Sequence, residues 1–372
     1  MKIAYISLEN PYSYNNGGIG TYTGMIAEAM AAKNNEVHLI TLGKNDEDYV
    51  CSGVNVHCVS DMLLSKRLFY LEESFLIYER INGIVRANHI DIVESPEWLA
   101  QGLFTVTECN IPFITRLHTP LFIIEEISKG QRIYRDSGEI KRYELLQAKR
   151  SKLLTAPCHS MSKWINDEWG IDSRVIYIPI DETQYTLCDN TENTVLFMGR
   201  LEYRKGITFF SESIKMLARD VKNVKIVICG RDSIFQKESM KKRIMRECED
   251  VIDHIQFISH ASYTEKKKLF SKAKVVVLPS VWENQSYVCL EAMASGKTVI
   301  ATNTGGFPDM IDNNESGYLV DAGNSEQLYE RMKEVLTDKI PGTGQNARRV
   351  IEEKFSTNVL VDDYIRLYES VL

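Results

Sequence analysis

The sequence predicts an α/β protein of two domains, each a parallel, doubly wound sheet with helices packed on it. Three observations carry that prediction. Short β-branched runs alternate with longer helical stretches along the whole chain, the order from which parallel sheets are built. The alternation breaks at the polar run Asp189-Asn190-Thr191-Glu192-Asn193, which reads as a linker. The length of 372 residues suits two domains, each with its own core, and makes a cleft between them available.

The first half opens on the strand KIAYISL. A helix from about Thr21 follows, then the strands EVHLITL and NVHCVS, a long helix over residues 67–87, and the strands DIVES and PFITRLH. Next come a basic helical stretch over residues 129–152, the strand LLTAPC, a short helix around Trp164, and RVIYIPI, which ends near Asp181. The second half repeats the pattern with TVLFMGR, a helix over 209–218, VKIVICG, a charged helix near 240–248, IQFISH, a helix over 264–273 and KVVVLPS. A helix over 288–294 and the strands TVIAT and YLV close the second sheet. The last stretch, 358–372, carries a helical stripe of Val359, Leu360, Tyr364, Leu367, Tyr368 and Val371, and is expected to pack back on the first domain. The expected boundaries are 1–182, 183–355 and 356–372.

Composition narrows the function classes. A net charge of -7 argues against an extended phosphate-backbone groove, so nucleic acid is not an expected partner. The basic stretch 129–152 reads either as a solvated helix face or as a docking face for an anionic acceptor or a membrane surface. The eight cysteines show no C-x-x-C spacing and the seven histidines no H-x-x-x-H pair, so neither a disulfide framework nor a metal site is expected, and a reducing cytoplasm fits. The apolar start, residues 3–8, is only strand length and is closed by Glu9, and no apolar run approaches a membrane span.

The segment PSVWENQSYVCLEAMASGKTVIATNT concentrates the chemistry. Glu283 leaves the strand Val275-Val276-Val277-Leu278, and in open α/β sheets ligands bind beyond the carboxyl ends of strands. Glu291 lies eight positions on, in the following helix. A helical path of that length spans about 12 Å, too far to share a proton but suited to two ends of an elongated ligand. Taken alone, the pair reads equally well as one solvated and one capping carboxylate. Ser295-Gly296-Lys297-Thr298 imitates a phosphate loop, but Glu291 stands where its first glycine belongs and the helix precedes the strand, so a nucleotide-triphosphatase reading is rejected.

Other strand ends add candidates. Gly17-Gly18-Ile19-Gly20 precedes the first helix without the dinucleotide spacing, and serves either as a close backbone approach to an anion or as an ordinary loop. Arg200 and Lys205 in GRLEYRKG leave the first strand of the second domain and would face the same crevice as Glu283. There, fixed cations would stabilise a departing diphosphate, though without the neighbouring motifs the pair reads rather as a basic turn. His118 ends PFITRLH, where a lone histidine is usually structural, and Glu94-Ser95-Pro96-Glu97-Trp98 offers carboxylates and an aromatic face that suit a sugar, though Trp98 reads equally as core. Asp46-Glu47-Asp48 reads as a solvated loop rather than a metal motif.

Together, GGIGTYT, His118, GRLEYRKG, ENQSYVCLEAMASG and TNTGG resemble the retaining group 1 glycosyltransferases of family four, over nearly the whole chain. The resemblance implies the GT-B fold, two Rossmann-like domains facing a central cleft, and transfer of a sugar from a nucleotide diphosphate donor, UDP-linked, with no metal or cofactor. It gives Glu291 the ribose, Arg200 and Lys205 the diphosphate, Gly18 the phosphates from the opposite wall, and Glu283 and His118 the transferring sugar. It assigns phosphate oxygens to the backbone amides of Tyr287 and Val288 at a helix start. Asn284-Gln285-Ser286, in place of a glycine-rich or Phe-Gly step, leaves the sugar unassigned. Carbohydrate, lipid-linked, protein and small-molecule acceptors all stay open. So do a UDP-sugar epimerase of the same fold and a nucleotide-sugar-binding protein without turnover.

Overall fold

The computed structural model describes residues 1–13, 17–60, 68–187 and 192–372. They form two compact units, one of Met1–Pro179 with Thr357–Leu372 and the other of Ile180–Ser356. The first unit runs β1 (Lys2–Ser7), α1 (Gly18–Ala32), β2 (Glu36–Gly43), β3 (Glu47–Cys51), β4 (Val54–Ser60), α2 (Phe69–Asn88), β5 (Ile92–Pro96), α3 (Leu103–Glu108), β6 (Phe113–Arg116), α4 (Leu121–Ile127), α5 (Ser137–Arg150), β7 (Leu153–Ala156), α6 (His159–Trp169) and β8 (Arg174–Val175). Its strands lie in the order β3-β4-β2-β1-β5-β6-β7-β8. All neighbours are parallel except the antiparallel pair β3 and β4. The chain winds outward from β1 in one direction and from β5 in the other, so the loops after these two strands flank the switch point.

The second unit runs β9 (Thr194–Met198), α7 (Ile207–Asp220), β10 (Lys225–Cys229), the short strands β11 (Ile234–Phe235) and β12 (Glu238–Ser239), α8 (Met240–Glu247), β13 (Ile255–Ile258), α9 (Tyr263–Lys272), β14 (Val275–Leu278), α10 (Tyr287–Ala294), β15 (Thr298–Thr302), α11 (Phe307–Met310), β16 (Tyr318–Val320), α12 (Ser325–Leu336) and α13 (Gly344–Val350). The sheet order is β13-β10-β9-β14-β15-β16, all parallel. Every residue of β9 and β14 is buried, which is why both read as continuous apolar runs rather than alternating ones. Val195, Phe197, Val275 and Val277 share one core with Phe210, Ile214 and Leu217 of α7 and Met332 and Leu336 of α12. The switch point here falls between β9 and β14. Both units are therefore Rossmann-like, as expected.

The last helix, α14 (Thr357–Glu369), belongs to the first unit. Leu360, Tyr364, Leu367, Tyr368 and Val371 are buried, but Val359 is 41% exposed and lies off the stripe. Several element boundaries differ from expectation. The glycine run does not precede the first helix, because α1 already begins at Gly18. RVIYIPI pairs as a strand only at Arg174–Val175, although Ile176, Ile178 and Ile180 alternate inward. Side chains take its later acceptors: Arg116 donates to the Ile176 carbonyl (2.9 Å) and Tyr364 to that of Tyr177 (2.9 Å), and Pro179 has no amide to offer a ladder.

The basic stretch is helical only from Ser137. Asp46-Glu47-Asp48 enters strand β3, where Asp48 pairs with His57 and Arg80. α12 was not expected at all, despite the buried stripe Leu328, Tyr329, Met332, Val335 and Leu336. Most of the proposed linker, residues 189–191, and the expected helix start at Arg67 lie outside the described residues. Among the described residues no disulfide joins the cysteines, no group of His, Cys, Asp or Glu could hold a metal ion, and no helix is long and apolar enough to cross a membrane.

Candidate functional site

The turn leaving β9 is built to lie against the end of β14. A short helical turn over Tyr203–Lys205 ends on Gly206 in the left-handed region (φ 70°), where a Cβ would overlap the carbonyl oxygen of Pro279. The Val281 amide donates to the Arg204 carbonyl (2.9 Å), fastening the two strand exits together. This apposition sets Lys205 directly on one oxygen of Glu283 and the Arg204 guanidinium 3.6 Å from the other. Arg204 also holds Glu202 (2.8 Å), while Arg200, 65% exposed, lies 3.8 Å from Glu202. Burial works to raise the Glu283 carboxyl, but the charges of Lys205, Arg204 and Arg200 outweigh it and leave the group below its usual value. Burial pulls the Lys205 ammonium down despite Glu283.

Glu283 is held from the backbone as well. Gly305 (φ 60°) packs so closely that a Cβ would overlap the Glu283 carbonyl, which accepts the Gly306 amide (2.9 Å). The TNTGG run therefore serves as the bed for the Glu283 loop. Ser286 caps α10 by accepting the Cys289 amide (3.4 Å), so the first-turn amides of Tyr287 and Val288 sit at the helix end. One helical face further on, Glu291 is buried and meets separate partners: Lys266 of α9 at 3.0 and 3.3 Å and the Tyr185 hydroxyl at 3.3 Å. The two carboxylates thus occupy separate stations. Lys297 of the phosphate-loop look-alike is 2% exposed and donates to the Ser271 carbonyl (3.4 Å), a packing role.

In the first unit the candidates fall differently. His118 lies just past β6, half-buried, its ring edge-on to Tyr22 at 5.2 Å. Burial, helped by the Arg116 charge, drives the imidazole pKa down to about 3, so it is neutral at physiological pH. Glu94 is only 2% exposed. Its two oxygens accept the hydroxyls of Tyr22 (2.7 Å) and Tyr368 (2.8 Å), so it is a core group and not a carboxylate offered to a sugar. Trp98 is half-buried and packs on the cluster of Tyr70, Leu99, Leu121 and Ile140. Gly18 is exposed, with open space where a Cβ would stand. The tighter position is Gly17, where a Cβ would displace the Glu9 carboxylate, and Glu9 accepts the Gly20 amide at 2.7 Å.

Arg204, beside Lys205 in the same motif, was not singled out from the sequence. Glu97 was read with Glu94 as a carboxylate offered to a sugar, but it is buried and accepts the backbone amides of His118 and Thr119. Lys266 gave no signal, being one lysine of a charged, solvent-facing helix.

Two family models match consecutive parts of the chain: Glycosyltransferase Family 4 over residues 16–184 and Glycosyl transferases group 1 over residues 182–355. An uncharacterised glycosyltransferase of Methanocaldococcus jannaschii is 26% identical, covering 99% of this chain and 98% of its own. Among solved structures, sucrose-phosphate synthase of Thermosynechococcus elongatus superposes with a TM-score of 0.83 at 18% identity, covering 100% of this chain and 98% of that one. An Anabaena protein solved with UDP-glucose gives 0.76 at 16% identity, with 100% of both chains covered.

Proposed function

Because the chain belongs to the family 4, group 1 glycosyltransferases, we propose that its donor is a UDP-linked sugar, transferred to a hydroxyl acceptor with retention of configuration and without a metal. The observation that carries this reading is the grouping of Lys205, Arg204 and Arg200 around Glu283 at the β9/β14 switch point. A nucleoside diphosphate gains negative charge as it leaves, and cations fixed in a partly desolvated site stabilise that charge more in the transition state than in the ground state. Glu291, on its own station with Lys266 and Tyr185, would receive the ribose. Glu283 would meet the transferring sugar, and the first amides of α10 the phosphate oxygens.

In the first unit, His118 and the exposed backbone of Gly18 keep the donor contacts that the resemblance implies, and Trp98 remains an acceptor contact. The departing phosphate oxygen would take the acceptor proton on the face it leaves, so retention needs no protein nucleophile. UDP is put first because the Anabaena neighbour holds UDP-glucose.

The test is a thermal-shift and hydrolysis panel of UDP-, GDP- and ADP-glucose. UDP-glucose is expected to raise the melting temperature and to release UDP slowly without acceptor. A shift without release from any member would mark a binding protein, and neither shift nor release would remove the nucleotide-sugar reading.

A further inference from the structure

ESPEW contains a second acidic position, Glu97, that the proposed function does not use. Glu97 is 0% exposed, yet among the described residues no cation pairs with it. Its oxygens instead accept two consecutive backbone amides, those of His118 and Thr119, each at 2.7 Å. The geometry follows from the sheet. β5 and β6 are parallel neighbours with Pro96 opposite Arg116, and the Glu97 amide continues the ladder onto the Arg116 carbonyl (3.1 Å). The loops leaving them emerge side by side, and the Glu97 side chain crosses from one to the other.

The backbone accounting of the second loop is complete. Leu117 donates to the Thr155 carbonyl (2.8 Å), His118 and Thr119 donate to Glu97, Pro120 has no amide, and Leu121 donates to Glu144 (3.0 Å). Glu144, also fully buried, accepts the Leu99 amide (3.1 Å) with its other oxygen. Leu99 and Ala100 are both in the left-handed region, with φ of 57° and 51°, although neither is glycine. Carbonyls or water would satisfy an ordinary loop without burying two carboxylates near each other or forcing that turn. Burial pushes the Glu97 carboxyl up to about 7 and raises Glu144 as well, which is a measure of what the arrangement costs. What it secures is the main chain that carries the His118 ring.

We propose that Glu97 is a positioning residue: its carboxylate fixes the His118–Thr119 backbone so that the imidazole, seated on Tyr22, meets the transferring sugar in one orientation. This rests on the sugar contact proposed for His118. A glutamine at position 97 keeps one acceptor but turns an NH2 toward the other amide, so the loop shifts while the fold survives. A residue that acts through His118 loses its effect once His118 is gone.

The experiment is a double-mutant cycle on the wild type, Glu97→Gln, His118→Ala and the double variant. It follows nucleoside diphosphate release from UDP-glucose, or from whichever of GDP- and ADP-glucose the panel finds hydrolysed. Calorimetry of the corresponding nucleoside diphosphate reports the second unit. His118→Ala is expected to slow release about 100-fold and Glu97→Gln about 10-fold, with nucleotide affinity held within about 2-fold. The double variant is expected to be no slower than His118→Ala alone. Should Glu97→Gln not fold cooperatively, Glu97→Asp, which keeps the charge but is too short to reach both amides, supplies the same cycle. A double variant slower by the full factor of the position-97 change, or wild-type release from the single position-97 variant, overturns the proposal and leaves the role of His118 standing. Wild-type release from His118→Ala, or none from any donor with the wild type, removes the parent reading and this proposal with it.

Discussion

Lys205 and Arg204 approach the two oxygens of Glu283 from one tight turn, and their charges hold that buried carboxyl below its usual value. In the proposed reaction the ion pair must be shared with an incoming diphosphate, so the cations matter most when the leaving group is most negative. Lys205→Ala is expected to lower kcat on the order of 100-fold and to weaken donor binding less than about 10-fold, with Arg200→Ala following in the same direction. Steady-state kinetics beside calorimetric binding checks this, and unchanged turnover in both variants would sink the assigned role. Lys205 and Glu283 were both legible in the sequence because each follows a recognisable strand at a fixed spacing. Arg204 and Lys266 were not, since a lysine or arginine on a charged stretch carries no sign of which carboxylate it will meet. Glu94 was misread for a related reason: ESPEW names the acids but not their directions, and both faces of β5 are buried, so Glu94 meets the hydroxyls of Tyr22 and Tyr368 in the core.

At the scale of elements, α14 matters beyond its sequence position. Its Tyr364 and Tyr368 close a buried group of Tyr5, Tyr22, Glu94 and Arg116, with Tyr368 reaching both Tyr5 (3.1 Å) and Glu94 (2.8 Å). Arg116 stacks over the Tyr22 ring at 4.9 Å and lies 5.9 Å from that of Tyr364. A hydrogen bond to a buried carboxylate contributes about 1.5–3 kcal/mol, so Tyr368→Phe is expected to destabilise the first unit by that amount. Chemical denaturation followed by fluorescence reads it, and a change below about 0.5 kcal/mol would mean that Glu94 finds another donor. The helical stripe of α14 was plain in the sequence. That its tyrosine hydroxyls satisfy an acid on β5 was not, because the two are joined only by tertiary packing.

For the whole molecule, the proposed reaction assigns diphosphate neutralisation to the side chains at the β9/β14 exit rather than to a divalent ion. Turnover of the donor found by the panel is accordingly expected to be unchanged by EDTA or by added Mg2+. A loss with EDTA that Mg2+ restores would overturn the metal-independent reading. Within each unit the candidates lie at or beside the switch point, on or after β1, β5 and β6 in the first and after β9 and β14 in the second. The two-sheet architecture needs no site-specific residue to form. It follows from the continuous apolar runs of β9 and β14 and the amphipathic stripes of α7 and α12.

The amino-acid order by itself determined the two α/β units, most strand positions, and the stations of Glu283 and Glu291, because periodicity and short motifs are local and survive in one dimension. Only the tertiary structure decided which acid in ESPEW faces the core and which crosses to His118, that α1 begins on Gly18, and that Lys266 meets Glu291. Those outcomes depend on side-chain direction and on contacts between distant segments. A hydrogen-bonding group is assigned only when its partner arrives, and for these residues the partner comes from another strand or helix.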